Sequence, residues 1–310
     1  MSGVGLAIGY GADLVLGDPR RGHPVAGFGR SAAALERLVY APSRRRGAAF
    51  AAALIALAAL AAHSLARLCA RAGLGEGAAL SLLVWAALGG RSLAREAGRV
   101  AAAVERGDLA SARRSLPALV GRDPEQLDGE AICRATVESV AENTGDAVLA
   151  PLFWAALAGP AGAAAYRAAN TLDAMVGNRS ERYRDFGWAA ARLDDAMNWL
   201  PARLGAALVA LCAPLAGGSP ASSWAATRRD AAAQPSPSAG YLEAAFAGAL
   251  GLRLGGPLRY DGRLESRPPL GDGSAPGSGD VGRAVRLSLA VGAAGAAACV
   301  ALRSARRAGR

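Results

Sequence analysis

Residues 138–201 read ESVAENTGDAVLAPLFWAALAGPAGAAAYRAANTLDAMVGNRSERYRDFGWAAARLDDAMNWLP, and the fold turns on how this stretch is read. Glu138, Glu142 and Asp146 are spaced i, i+4, i+8, which stacks three carboxylates along one face of a helix. Like charges at that spacing repel, so the pattern implies a cation between them. After an apolar segment come Asn170, Asp173, Asn178, Arg179, Glu181, Arg184 and Asp185, then Asp194, Asp195 and Asn198. This density of oxygen ligands and guanidinium groups beside apolar sequence suggests a magnesium and phosphate site built against a membrane. Glu138, Glu142, Asp146 and Asp173 are the expected metal ligands.

Working outward, apolar runs fall at about 4–16, 47–68, 74–90, 148–169, 204–215 and 284–302. A bilayer needs roughly 20 apolar residues per helix. Residues 47–68 satisfy that and pair with 74–90 as a hairpin, whereas 4–16 and 204–215 are short. Residues 91–146 read as a helical insert outside the membrane, with Leu93, Ala97, Val100, Val104, Leu109 and Leu116 on its buried face. Asn143-Thr144-Gly145 reads as a break after the carboxylate face. Pro151, Gly159, Pro160 and Gly162 interrupt 148–169, which is either one kinked span or two half-helices that enter and leave on the same side. Counting arginines puts residues 20–46 and 91–146 in the cytoplasm. The second arrangement then keeps the Asn170–Asp185 block on that side too, and is preferred. Residues 216–283 read as a polar, Gly/Pro-rich loop. The expected fold is all-α: one polytopic membrane helical bundle over residues 1–310 with cytoplasmic helical and loop segments.

Of the 310 residues 52% are hydrophobic and only 5% aromatic, so small side chains line the core and let helices approach closely. The net charge of +10 comes from arginine alone, because the chain has no lysine. That excludes a Walker A lysine and a Schiff-base lysine, and leaves arginine, backbone N–H groups or metal to hold any phosphate. The arginines sit at the ends of apolar runs, as in Arg44-Arg45-Arg46, which fits membrane flanks and not a nucleic-acid groove. Cys69, Cys133, Cys212 and Cys299 are scattered without a metal-ligand or disulfide pattern. The first residues lack a basic run and carry Asp13 within the apolar stretch, unlike a cleavable signal peptide. Asp18, Arg20, Arg21, His23 and Arg30 alternate with Pro and Gly in a loop that reads either as an anion-binding segment or as an ordinary basic connection.

Four blocks carry a family likeness: LVLGDPRRGHPV (14–25), ESVAENTGDAVLAPLFW (138–154), YRAANTLDAMVGNRSERYRDFGWAAARLDDAMNWLPARL (166–204) and RRDAAAQPSPSAGYLEAAFAGALGLRLGGPLRYDG (228–262). In this order they resemble the adenosylcobinamide-phosphate synthase family of cobalamin biosynthesis, the CobD/CbiB family. The fourth block departs from that family's S-P-N-A-G-[WY]-P-E pattern: Ser238 stands for the Asn and Leu242 for the Pro. Ser238 keeps local polarity but not an amide contact.

The resemblance implies a multi-pass enzyme of the cell membrane with its active site facing the cytoplasm. It would be an acid–amine ligase joining aminopropanol, free or as its phosphate, to the free carboxylate of adenosylcobyric acid to give adenosylcobinamide or its phosphate. ATP as co-substrate and Mg2+ are implied, with a corrinoid, aminopropanol phosphate and the lipid bilayer as partners, contacts with other cobalamin-biosynthesis enzymes, and no nucleic acid. Asp194, Asp195 and His23 are the candidate general bases, unranked. Asp18, Asn143, Asn170, Asn178, Arg179, Arg184, Arg229, Ser236 and Gly240 are the candidate substrate and phosphate contacts, with Arg182 beside them as a further clamp. Several have plainer readings: Arg229 as a basic flank, Ser236 and Gly240 as a turn and helix cap, Asp194 and Asp195 as helix-end polarity. A membrane transporter component for a corrinoid or another anion is the competing reading, since polar residues beside broken apolar helices also mark transporters.

Overall fold

The computed structural model describes residues 3–19, 22–178, 180–236, 238–260 and 263–308; the side chains of 258–260, 263–265, 307 and 308 lie outside the description. Helices account for 79% of the chain, as expected for an all-α membrane bundle. In chain order they are α1 (Val4–Leu16), α2 (Pro24–Val39), α3 (Arg44–Arg71), α4 (Gly75–Ala87), α5 (Gly90–Glu105), α6 (Leu109–Ser115), α7 (Gly129–Thr144), α8 (Ala150–Val176), α9 (Tyr183–Phe186), α10 (Trp188–Cys212), α11 (Pro220–Asp230) and α12 (Ala239–Leu250); an antiparallel hairpin β1 (Leu254–Tyr260) and β2 (Arg263–Leu270) precedes α13 (Ser278–Ala308). Among the described residues, five stretches are long and apolar enough to cross a membrane: Arg44–Arg71, Gly75–Glu105, Gly129–Val176, Trp188–Ala216 and Ser278–Arg306. The protein is thus built as a multi-pass membrane protein. It divides into two compact units, the first comprising Met1–Gly89, Asp146–Asn198 and Ala296–Arg310, the second Gly90–Gly145 and Trp199–Gly295.

In the first unit α1 packs on α4 through small residues one turn apart. A side chain at Gly5 would meet the Gly77 carbonyl, and one at Gly9 the Ser81 carbonyl, so the two backbones approach closely. Leu6, Leu80, Val84, Leu152 and Ala163 form one core cluster there; Ala32, Phe50, Leu172 and Phe186 form another, joining α2, α3, α8 and α9.

The decisive feature is the break in α8. Gly159 has φ 67°, a left-handed conformation open to glycine, and Pro160 follows it. Asp146 and Asn170 are 24 residues apart, about 36 Å along a straight helix, yet their side chains are hydrogen-bonded at 3.3 Å. Tyr166 Oη likewise donates to the Asp146 carbonyl at 3.1 Å. The chain therefore doubles back at Gly159–Pro160 into two antiparallel arms, 150–158 and 160–176, and the Asn170–Asp185 block returns to the level of Asp146. The fold-back preferred from sequence is observed. Carbonyls left open at the end of the first arm are capped by arginine: Arg303 Nη1 donates to Ala155 and Ala156, and Arg306 Nη1 to Leu157.

In the second unit α5 and α6 pack on α7 through Val100, Ala103, Ala112, Leu116 and Ile132. All six apolar positions expected from periodicity are buried or packed there. Two expectations need correction. Residues 216–283 are not a loop: they hold α11, the hairpin and α12, whose residues 242–250 are all buried. Glycine and proline at the ends of these elements masked LEAAFAGAL, a run apolar on every side and therefore a core helix. Residues 204–215 are likewise only the end of a helix that starts at Trp188 and runs through Pro201, because the polar Asp194–Asn198 stretch lies inside the helix instead of ahead of it.

Candidate functional site

After the break, the second arm of α8 carries YRAANT, and helical spacing puts Tyr166 and Asn170 on one stripe and Arg167 and Thr171 on the next. The chain from α7 passes Asp146 through a π-helical turn, Gly145–Leu149, a local widening common at functional sites. From α10 come Asp194 and Asn198, one turn apart. Asn170 Nδ2 donates to both Asp146 Oδ2 and Asp194 Oδ1, each at 3.3 Å. Asn198 Nδ2 donates to Asp194 Oδ2 at 3.0 Å, and Tyr166 Oη donates to Asn198 Oδ1 at 3.0 Å. Arg167 Nη1 donates to Asn170 Oδ1 at 3.3 Å. Two carboxylates in apolar helices are thus tied together by neutral amides, with one guanidinium at the edge of the network. Buried polar groups need such partners.

Arg167 also lines a cleft of about 540 Å3 whose other polar walls are Asp18, His23, Arg30 and Thr171. His23 caps α2: its Nδ1 accepts from the Val25 N–H at 3.1 Å, while Nε2 faces Asp18 at 3.5 Å. With Nδ1 accepting, the proton of the neutral ring sits on Nε2 and points at the carboxylate. His23 is therefore set as a donor, not as a base. Asp195 lies on the neighbouring face of α10, 4.0 Å from Arg192. Of the three candidate bases, Asp194 alone stands in the amide network.

Other candidates of the first unit lie in local contacts or at the surface. Asp173 folds against Gly177 at the end of α8, and Asn178 Oδ1 accepts from the Ser180 N–H in a turn. Arg182 donates to Glu36 at 3.0 Å and lies over the Tyr40 ring, and Tyr183 Oη donates to the same carboxylate at 2.9 Å. Arg182 is thereby used as a clamp onto α2. Arg184 is exposed, and Arg179 lies outside the described residues.

The second unit holds another acidic group. Glu138 accepts from Arg122 Nη2 at 2.6 Å and from the Gly255 N–H at 2.8 Å, so both of its oxygens are engaged. Gln234 Nε2 donates to buried Glu243 at 2.7 Å. Burial, then the like charges of Glu142 and Glu138, push the Glu243 carboxyl well above the usual carboxylate range, against the opposing pull of Arg267 and Arg122. Asn143 donates to the Ser139 carbonyl. Arg229 is paired with Asp230 at 2.7 Å and Asp272 at 3.1 Å, and Ser236 Oγ caps α12 by accepting from the Ala239 N–H. Gly240 sits where a side chain would strike the Ala231 carbonyl. Among the described residues no group of three or more His, Cys, Asp or Glu side chains could hold a metal ion. The set Glu138, Glu142, Asp146 and Asp173 does not fit as a resident metal site.

The family model described as CobD/Cbib protein matches residues 6–288. The chain belongs to the CobD/CbiB family. It is 53% identical over 299 residues to the Cobalamin biosynthesis protein CobD of Mycobacterium tuberculosis (strain ATCC 25618 / H37Rv), covering 96% of this chain and 95% of that one. The protein of the same name from Chromobacterium violaceum is 48% identical over 295 residues, covering 92% of each. That of Rhodobacter capsulatus is 41% identical over 279 residues, 87% of each. No solved structure matches the chain.

Within this CobD/CbiB chain, Tyr166, Arg167, Arg122, Gln234 and Glu243 belong to the polar groups but escaped selection from sequence. Arg167 had a usable signal, being a lone charge in the apolar run GPAGAAAYRAAN. Arg122 and Gln234 had none, since each sits in a polar loop.

Proposed function

We propose that this protein acts in cobalamin biosynthesis as an acid–amine ligase, forming the amide between an aminopropanol unit and the free carboxylate of adenosylcobyric acid. The observation that carries the reading is the pair Asp146 and Asp194, held by the amide of Asn170, which also meets Arg167 from the wall of the cleft. Family membership and the names of the relatives support the pathway. ATP is the co-substrate, with magnesium carried on the nucleotide. The corrinoid carboxylate attacks the γ-phosphorus, giving an acyl phosphate and ADP. The amine nitrogen then attacks the acyl carbon, the C–N bond forms, the C–O bond to phosphate breaks, and the nitrogen loses a proton. Asp146 holds the ammonium and takes its first proton, which frees the lone pair for attack; Asp194, oriented by Asn170 and Asn198, takes the second as the C–N bond forms.

Purified protein in detergent, given adenosylcobyric acid, aminopropanol phosphate, ATP and magnesium, should yield the amide and one ADP per amide by mass spectrometry. No amide beside an active homologue overturns the reading. The helix break at Gly159–Pro160 favours a second reading, a transporter of a corrinoid or another anion, because broken membrane helices line transport paths. Corrinoid flux in proteoliposomes without amide formation would select it. A cytoplasm-facing site predicts that a cysteine at exposed Arg184 is labelled only from the cytoplasmic side.

A further inference from the structure

We infer that Arg167, with Arg30, is the anion-receiving element of the cleft, and that the group it takes is a phosphate dianion. Arg167 lies on the second arm of α8 among alanines, where Ala163 and Ala169 are fully buried. A guanidinium in such surroundings is costly unless a counter-charge reaches it. Three other inward arginines have theirs. Arg122 is paired with Glu138, Arg303 with Glu76 and two carbonyls, and Arg283 with Asp280 and three carbonyls. Arg167 has a hydrogen bond to the neutral Asn170 through Nη1 and, among the described residues, no ion pair. Its Nε is buried without a partner. The Nε–Nη2 edge is the one that grips carboxylate or phosphate through two parallel hydrogen bonds. Here Nη1 is fixed by Asn170 and that edge is left over.

The cleft supplies the rest of the charge balance. Arg30 is exposed on the opposite wall and makes no ion pair among the described residues, while the carboxylate of Asp18 is matched by His23. Among the lining residues two guanidinium groups face one carboxylate, with Asp146 and Asp194 lying beyond Asn170. In a chain without lysine, phosphate oxygens have only arginine and backbone donors to meet. A volume of about 540 Å3 admits a phosphate ester with its substituent. The source is either the phosphate of a short phosphorylated amine or the phosphates of a nucleotide. Naming those two sources rests on the function proposed above, but the anion site itself does not.

Calorimetry on the full chain in detergent tests this, with inorganic phosphate, aminopropanol phosphate, MgATP and uncharged aminopropanol N-acetylated at its amine as separate probes. In Arg167→Gln the Kd for inorganic phosphate should rise about 10- to 100-fold, the size of a lost charge-assisted contact, while the uncharged probe is unaffected. Arg167→Lys should recover part of the loss, because it restores charge but not the two-pronged grip. Arg30→Gln, on an exposed face where folding is not at stake, should weaken the same probe less. An added loss for aminopropanol phosphate alone assigns the amine as the source; for MgATP alone, the nucleotide. Wild-type phosphate affinity in both Arg167→Gln and Arg30→Gln overturns the inference. So does an equal loss for the uncharged probe in both. The phosphate arm reads out even if no amide product forms, so failure of the ligase reading and failure of this one are separable.

Discussion

The first unit holds Asp146 and Asp194 with the neutral amides of Asn170 and Asn198, whereas the second unit holds Glu138 with the Arg122 guanidinium and the Gly255 N–H. The two groups use similar acids for opposite ends. A carboxylate gripped by a guanidinium at 2.6 Å is neutralised, and what remains is a strut joining α7 to the loop before α7 and to β1. The amides of Asn170 and Asn198 orient Asp146 and Asp194 without themselves bringing an opposite charge. On the proposed function the first pair does chemistry, while Glu138 secures architecture. Sequence spacing had put Glu138, Glu142 and Asp146 in one set, because i, i+4, i+8 reports a shared face and not a shared partner.

The sharpest way to break this comparison is to neutralise one member of each group. Asp194→Asn should lower amide formation by about 10^2- to 10^4-fold, the range for loss of a general base, with the melting temperature in detergent little changed. Asp146→Asn should lower it as well, through weaker placement of the amine. Product analysis and thermal scanning on the same preparation check both. Full turnover in Asp194→Asn would mean that the amide network is architecture too, and the contrast between the units would disappear.

Arg122→Ala should do the reverse. It leaves Glu138 buried on the Gly255 N–H without its guanidinium, and removal of one partner from a buried ion pair costs roughly 3–5 kcal/mol. Denaturant titration of the detergent-solubilised protein should show that loss, while the protein that stays folded turns over normally. A variant that keeps its stability and loses catalysis would move Glu138 back among the chemical residues.

Much of the fold was legible in the sequence. The α3–α4 hairpin, the apolar stripe of α5 and the fold-back at Gly159–Pro160 follow from run length, periodicity and one Gly-Pro pair. The site was legible in part. Asn170 and Asp194 stood out as polar residues in apolar sequence, but the arginine chosen to meet phosphate came from NRSERYRDF, the block richest in guanidinium groups. Part of the charge density there is anchoring: Arg182 is spent on Glu36 and Tyr40, and Asp185 is held by Arg44. Which arginine stays unpaired depends on contacts across 146 residues, between Arg182 and Glu36, or across 141, between Arg44 and Asp185. Local spacing carries no trace of them. Glu243 was hidden for the same reason, as one acid in an apolar helix whose neighbours Gln234 and Glu142 come from separate elements.

Glu243 gives the smallest and most specific test of the second unit. Its carboxyl titrates higher in the folded protein than in the unfolded chain, where the value is about 4.3. Stability linked to its proton is therefore fully present below the unfolded value and is lost as pH rises through the folded one. Glu243→Gln keeps an acceptor for Gln234 Nε2 and cannot ionise. Melting temperatures of the two proteins should coincide near pH 4, roughly the unfolded value, and the variant should gain steadily as pH rises. A constant difference at every pH would mean that folding leaves the carboxyl's proton affinity unchanged, with Arg122 and Arg267 offsetting burial and like charge.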